Sequence, residues 1–212
     1  PEANFRLANH YLSVGRFEDA HDVITSFAEK DVNNESTANF LSQIDNLKRL
    51  NDEKTALEGR VFGDPKTPIN LQDAFQLIGV YHSLQKTAEM GRLLNSLLAA
   101  KLPADVELRL AQELTKIKRY NMVEVVLTHY VSQNQNDYRV MIELAIIRFS
   151  QNKIDLGLET MKQAIEVGGE PARTILRNDQ RFAPLANDAR FKALVPPINT
   201  PIAKPMTFDK LF

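Results

Sequence analysis

The sequence predicts an all-α, right-handed α-α superhelical solenoid of about five helical hairpins with a C-terminal cap. Three observations predict this fold class. Arg6-Leu7-Ala8 opens a pattern of apolar and aromatic residues that recurs after Arg109-Leu110-Ala111, 103 residues later. That distance is close to three times a period of about 34 residues, the length of a helix-turn-helix repeat. Between these two segments, apolar residues recur three and four places apart, which is the spacing of amphipathic helices.

Composition is that of an ordinary soluble globular protein and excludes several functions. The 212 residues are 43% hydrophobic and 25% charged, and the net charge of −1 gives no overall bias toward nucleic acid or anionic lipid. The longest apolar run, Val140 to Ile147, contains Glu143 and is far shorter than the roughly 20 residues of a membrane helix. With no cysteine, disulfides and thiolate chemistry are excluded. The compartment stays open between cytoplasm and periplasm.

The first predicted repeat covers residues 1–34. Its first helix carries Leu7, Ala8 and Tyr11 on one face. Gly15 is the expected turn residue, since glycine at a helix end adopts positive φ without a Cβ penalty. A second helix follows, and its inner face is formed by Ala20, Val23, Ile24 and Phe27.

Residues 35–70 form a degenerate second repeat with two interpretations. Phe40, Ile44 and Leu47 have helical spacing, and a shorter second helix would follow a break near 50–52. Because that break contains no glycine, a single long helix from Thr37 to Phe62 is the alternative. The prolines at 65 and 68 predict a loop after it.

The third, fourth and fifth predicted repeats cover residues 71–103, 104–137 and 138–171 in the register of the first. Gln85, Lys118 and Asn152 take the turn position that Gly15 has in the first repeat.

The run 168–171, Gly-Gly-Glu-Pro, predicts a helix stop. Residues 172–195 are predicted to cap the last apolar face, as solenoids require, with Asp179 and Asp188 in the two expected N-cap pairs. Residues 196–212 are predicted to be an extended, proline-rich tail.

These positions resemble the tetratricopeptide repeat family. The first repeat fits best, through Leu7-Ala8, Tyr11, Gly15, Phe17 and Ala20, and departs from the family at Asn4, where the family favours tryptophan. The resemblance covers about 170 residues and suggests a fragment of a bacterial protein. It implies that partners bind on the concave side, which the first helices of the repeats form.

Carried over by register, the resemblance assigns an apolar set of partner-binding residues. They are Phe5, Asn9, Leu12, Phe75, His82, Leu108, Arg109, Gln112, Ile142, Ile146 and Phe149. One interpretation is a groove for an extended or helical peptide. The other is that these side chains pack on neighbouring helices or on the tail. Asn9 and Arg109 are also fragments of a pattern with which some members bind a C-terminal carboxylate.

The sequence gives no sign of an enzyme, a cofactor or a metal site. None of the four histidines has a second histidine three or four places away, so no pair of them forms a metal site on a helix. We expect them on helix surfaces. Gly168-Gly169 lacks the further residues of a phosphate-binding loop. Lys116, Lys118 and Arg119 are the one dense basic cluster, too little for a nucleic-acid surface.

We therefore expect a non-enzymatic scaffold that binds a protein or peptide partner, with neither nucleic-acid binding nor direct membrane insertion, and with self-association as a further option. The alternative is an accessory or assembly domain of a larger enzyme or membrane protein, its groove packed or occupied by its own tail. The start at Pro1 motivates that alternative, and the apolar spacing of Phe208, Leu211 and Phe212 suggests a docking tail.

Overall fold

The structure, a computed structural model, describes residues 2–28, 35–64 and 66–197. Within these ranges all regular structure is helical, which confirms the all-α helical-repeat fold class. The chain divides into two compact units, Pro1–Leu102 and Pro103–Phe212. None of the described helices combines the length and the apolar character needed to cross a membrane.

The first unit contains five described helices, each packed against the next. They are α1 (Glu2–Ser13), α2 (Phe17–Ala28), α3 (Glu35–Phe62), α4 (Leu71–Ser83) and α5 (Thr87–Ala99). Ala8, Ala20, Ile24 and Ile44 form a fully buried cluster where α1, α2 and α3 meet. The small side chains of Ala8 and Ala20 let the backbones of α1 and α2 approach each other.

Residues 35–62 form one continuous helix, so the prediction of a second hairpin is wrong and the alternative of a single long helix is correct. No residue near 50–52 has the positive φ that ends the other first helices. The helix also has two separate buried faces. Ile44 belongs to the cluster with α1 and α2. Leu57 and Val61 point to a different side of the helix, about 100–140° around its axis from Ile44, where α4 packs. One helix therefore serves two neighbours.

The second unit contains two helical hairpins and a cap. Its helices are α6 (Ala104–Lys116), α7 (Tyr120–Gln133), α8 (Tyr138–Ser150), α9 (Ile154–Asn178), a 3-10 helix (Gln180–Leu185) and α10 (Ala189–Leu194). The predicted stop is present as a kink inside α9, where Gly169 has φ 57° and ψ −136°. At the preceding Gly168, a Cβ would lie 2.4 Å from the ring of Tyr138, so this position also requires glycine.

Four tight turns between helices share one backbone geometry. Gly15, Gln85, Lys118 and Asn152 have φ values of 78°, 56°, 57° and 60°. Each following residue donates its backbone N–H to the carbonyl five places earlier, at 2.8 or 2.9 Å. This is the Schellman arrangement, in which a left-handed residue ends the helix. The turn positions predicted from the sequence are therefore confirmed.

The segment after the kink covers the end of the last hairpin. Asp179 accepts a hydrogen bond from the backbone N–H of Arg181, and Asp188 accepts two, from Arg190 and Phe191, so both have the predicted N-cap role. Phe182 stacks on Phe191 and meets Phe149 edge to face, each pair with centroids 6.0 Å apart. The predicted extended tail lies, from residue 198 onward, outside the described residues.

Candidate interaction surface

On α1, the predicted binding residues divide between packing and exposure. Phe5 lies between two other rings, 6.1 Å from Phe27 and 5.2 Å from Phe40, both edge to face. Leu12 is half-buried against the same core cluster, and Asn9 is exposed. Phe5 therefore joins α1 to α2 and α3, and Asn9 is the predicted residue of α1 that faces solvent.

On α4, the two predicted residues lie on one side of the helix. Phe75 and His82 are seven positions apart, close to two full turns, and both are half-buried. Gly79 and Ser83 are exposed next to them, and the Ser83 hydroxyl donates to the Gly79 carbonyl at 3.0 Å. A Cβ added at Gly79 would have no neighbour within 4 Å, so this part of the α4 surface is open.

On α6, an apolar residue lies beside polar ones. Leu108 is half-buried, and Gln112, one turn later on the same side, is exposed, as is Arg109. The Thr115 hydroxyl donates to the Ala111 carbonyl of its own helix at 2.8 Å. This side of α6 therefore presents one aliphatic group with an amide and a guanidinium beside it.

On α8, the structure corrects the predicted groove. Ile142 is 1% exposed and belongs to the core that α8, α9 and the cap form together, so the expectation that it binds a partner is wrong. Phe149 packs on Phe182 and against Gly157, where an added Cβ would lie 2.5 Å from its ring. Ile146 is half-buried against the same core.

The cap explains why α8 is covered. Arg181 donates two hydrogen bonds to Glu143 of α8, from Nη1 at 2.8 Å and from Nη2 at 2.7 Å, and also bonds Asp179. These bonds raise the pKa of the Arg181 guanidinium, and the bond to Glu143 contributes most. The pair is half exposed, so it orients the cap more than it stabilises it. For Phe5, Ile142 and Phe149, the second interpretation, packing within the chain, is the observed one.

Sequence reasoning missed a polar network that links α7, α8 and α9. Glu124 accepts hydrogen bonds from Arg148 at 3.1 Å and Gln151 at 3.0 Å, and also pairs with Lys153. Burial raises the pKa of Glu124, but the bonds from Lys153, Arg148 and Gln151 outweigh it and leave the pKa lowered. Arg148 also bonds the buried Thr160. No spacing rule within one helix would find the partners of Glu124, which lie 24 to 29 positions away.

A buried acidic side chain lies between α6 and α7. Glu107 is 4% exposed, and its Oε2 lies 3.2 Å from Nδ1 of His129, which is half-buried. The His129 side chain is 31% exposed, so it lies at the helix surface as expected, with a buried partner from α6. The position equivalent to Glu107 is occupied by Ala74 in α4 and by Met141 in α8, both buried, so this carboxylate stands at an apolar core position.

Comparisons with known proteins add little to this geometry. No family model matches the sequence, and no curated protein matches it. Among solved structures, the chain is similar to one described as "MamA RS-1 ArsTM double mutant", with a TM-score of 0.34 and 14% sequence identity over 91% of this chain and 93% of that one.

Proposed function

We propose that this chain is a non-enzymatic interaction module of the tetratricopeptide repeat kind, which binds a segment of another protein on the solvent-facing side of its first helices. The observation that carries the proposal is the side of α6, where half-buried Leu108 lies next to exposed Arg109 and Gln112. In the other unit, Phe75 and His82 of α4 form a comparable pair.

The chemistry of these residues suits a peptide. Leu108 offers a small apolar contact, and the amide of Gln112 can both donate to and accept from a peptide backbone. Asn9, Leu12 and Ile146 remain in the proposed binding set. Phe5, Ile142 and Phe149 leave it, because their side chains are used within the core.

Site-specific photo-crosslinking in the native cell extract tests the proposal. A photoreactive amino acid at position 112 should form adducts with a protein partner, whereas the same group at Val125, an exposed residue of α7, should not. The segment identified by mass spectrometry is then synthesised and titrated by calorimetry. Leu108→Ser should weaken its binding about tenfold, because an anchor residue of an interface typically contributes more than 1 kcal/mol. Adducts that form equally at both positions, or at neither, would contradict the proposal.

The same experiment separates the alternative of an assembly domain. Packing of the predicted groove residues favours that alternative, since Phe5 of α1 and Ile142 and Phe149 of α8 already contact other parts of the chain. An assembly role predicts strong adducts from the exposed apolar residue Leu7 of α1, and none from position 112.

A further inference from the structure

Equivalent leucines of the repeats have very different exposure. Leu7, Leu77 and Leu144 occupy the same position relative to the turns at Gly15, Gln85 and Asn152. Leu77 is 0% exposed and Leu144 is 2% exposed, whereas Leu7 is 41% exposed. Val14, at the end of α1, is 57% exposed. Leu7 and Tyr11 lie about one turn apart on α1, with Tyr11 half-buried against the core cluster of α1, α2 and α3, and Val14 directly follows the helix. Together we call Leu7, Tyr11 and Val14 the outer face of α1.

In each unit, the preceding helix covers the face equivalent to this one. α3 packs on α4, where Leu57 and Val61 are buried and the Tyr81 hydroxyl donates to Glu58 Oε1 at 2.8 Å. The second unit repeats the arrangement with different residues. α7 packs on α8, where Val123 and Leu127 are buried and Arg148 Nε donates to Glu124 Oε1 at 3.1 Å.

The two covering helices therefore share a pattern. In both, a buried apolar residue precedes the glutamate and another follows three places after it, as in Leu57-Glu58-x-x-Val61 and Val123-Glu124-x-x-Leu127. In both, the glutamate accepts a hydrogen bond from the side chain at the position equivalent to Tyr11. Tyr11 offers the same hydroxyl donor as Tyr81, and the guanidinium of Arg16, which is bonded to Asp19 at 2.7 Å, lies 4.6 Å from its ring centroid and holds the ring in place.

We propose that the outer face of α1 binds an amphipathic helix of another protein that carries the pattern apolar-Glu-x-x-apolar, with its glutamate opposite Tyr11. These residues belong to α1 and the turn after it, whereas the residues that carry the proposed function belong to α4 and α6. Its apolar contacts supply attraction, and the charged hydrogen bond selects the register, because a buried carboxylate without a donor would weaken binding.

The chain itself supplies a probe for this surface. A synthetic peptide of residues 47–63 contains the covering segment of α3, and a hydrocarbon crosslink between positions 52 and 56, both exposed in α3, keeps it helical. The crosslink is needed because isolated helices of this length are marginal in water. Fluorescence anisotropy with the full chain should show saturable binding. Leu7→Asp should weaken it at least tenfold, whereas Leu156→Asp, at a leucine that is 51% exposed on α9, should leave it unchanged.

The hydrogen bond has its own test. Tyr11→Phe keeps the ring and its contact with Arg16, so any loss of affinity reports the hydroxyl. We expect a loss of about tenfold, in the range for a hydrogen bond to a charged group. A peptide with Glu58→Gln should lose a similar factor against the parent chain. Combining both changes should cost little more than either alone, since the two groups act as one pair.

Several outcomes would overturn the proposal. These are no binding of a peptide whose helicity is confirmed by circular dichroism, equal binding by parent and Leu7→Asp, or independent effects of the Tyr11 and Glu58 changes. Sedimentation that shows a dimer, which Leu7→Asp converts to monomer, would identify a second copy as the occupant and would also overturn it. Leu108→Ser should not affect the probe, so failure of this proposal is distinct from failure of the proposed function.

Discussion

The first hairpin, α1 and α2, and the last hairpin, α8 and α9, follow the same register and differ in what surrounds them. Their turns, at Gly15 and Asn152, have nearly the same φ, and the alanines Ala8 and Ala145 are both fully buried between paired helices. The last hairpin lies between α7 and the cap, so Leu144 is 2% exposed. In the first hairpin, the equivalent Leu7 is 41% exposed.

The difference teaches that register and burial are set separately in a repeat protein. Register is local, because each turn satisfies its backbone hydrogen bonds within five or six residues. Burial depends on whether a neighbouring element covers the face that the register produces. An apolar residue in the right position is therefore a core residue in one repeat and a surface residue in another.

The largest expected effect concerns the equivalent leucines. Leu144→Ala should lower the free energy of unfolding by about 2–5 kcal/mol, because it removes a fully buried side chain and leaves a cavity. Leu7→Ala should cost less than about 1 kcal/mol, since much of that side chain already contacts water. Urea unfolding followed by circular dichroism measures both. Similar losses for the two variants would show that the outer face of α1 is covered in solution.

A second, smaller effect tests the close approach inside the last hairpin. Gly157→Ala should destabilise the protein by about 1–3 kcal/mol, because the added methyl group would lie 2.5 Å from the ring of Phe149. Ala20, at the equivalent position of the first hairpin, accommodates its methyl group. Gly91→Ala in α5 is the control. Nothing lies within 4 Å of its Cβ, so the better helix propensity of alanine should make it neutral or stabilising.

The cause of the Gly157 effect can be checked by a second change. Phe149→Leu removes the ring that the methyl group would meet, so the penalty for Gly157→Ala should shrink in that background. Thermal unfolding of the four proteins of the cycle gives the coupling. A penalty that persists at full size would mean that the clash with Phe149 is not its source.

The turns should give an effect of about 1 kcal/mol that differs between the hairpins. Gly15→Ala should destabilise the first hairpin by about 1–2 kcal/mol, because a Cβ is unfavourable at φ 78°. Asn152→Gly should change stability by only a few tenths of a kcal/mol, since asparagine already tolerates the left-handed region. Chemical denaturation of both variants measures the contrast. A loss on Asn152→Gly as large as that on Gly15→Ala would contradict this account of the turns.

The smallest expected effect is the acid sensitivity of the cap over the last hairpin. Hydrogen bonds from the side chain and backbone of Arg190 lower the pKa of Asp188 to about 2, and the Arg181 side chain lowers that of Asp179. A carboxyl group whose pKa is depressed on folding stabilises the folded state above its unfolded pKa, ordinarily 3.8 here. This contribution is lost as the pH falls from about 4 toward 2.

A titration of this kind can be followed by NMR at residues of the cap. In the parent, the signals of Phe191 and its neighbours should shift between pH 4 and pH 2. Asp188→Asn should flatten that dependence while keeping the cap at pH 7, because asparagine is also a good N-cap residue. Signals that shift over the same range in the variant would point to other groups.

The sequence predicted the local features because their causes are local. The positive φ of Gln85, Lys118 and Asn152 followed from their place in the register, although none is glycine. The interruption near Gly169 and the caps at Asp179 and Asp188 followed from residue types at helix ends. The sequence did not decide whether the helix breaks at residues 50–52, because that depends on how α3 packs against two separate neighbours.

The candidate site was less predictable, because it depends on contacts between distant segments. Register assigned Phe149 to the partner-binding side of α8, but its ring packs on Phe182, which lies 33 residues later in the chain. Ile142 became core for the same reason. The network of Glu124 with Arg148 required two helices at one particular distance, and no pattern within a single helix contains that information.

By itself, the sequence determined the helical class, the positions of the turns and the side of each helix that carries apolar residues. These follow from a period of 3.6 residues and from hydrogen bonds that close within a single turn. Only the tertiary structure decided which apolar sides are covered. It buries Leu144 of the last hairpin and Phe182 of the cap, and it leaves Leu7 at the surface. A side chain is buried only when a neighbouring element covers its helix face, and the repeat pattern specifies the face but not the element that covers it.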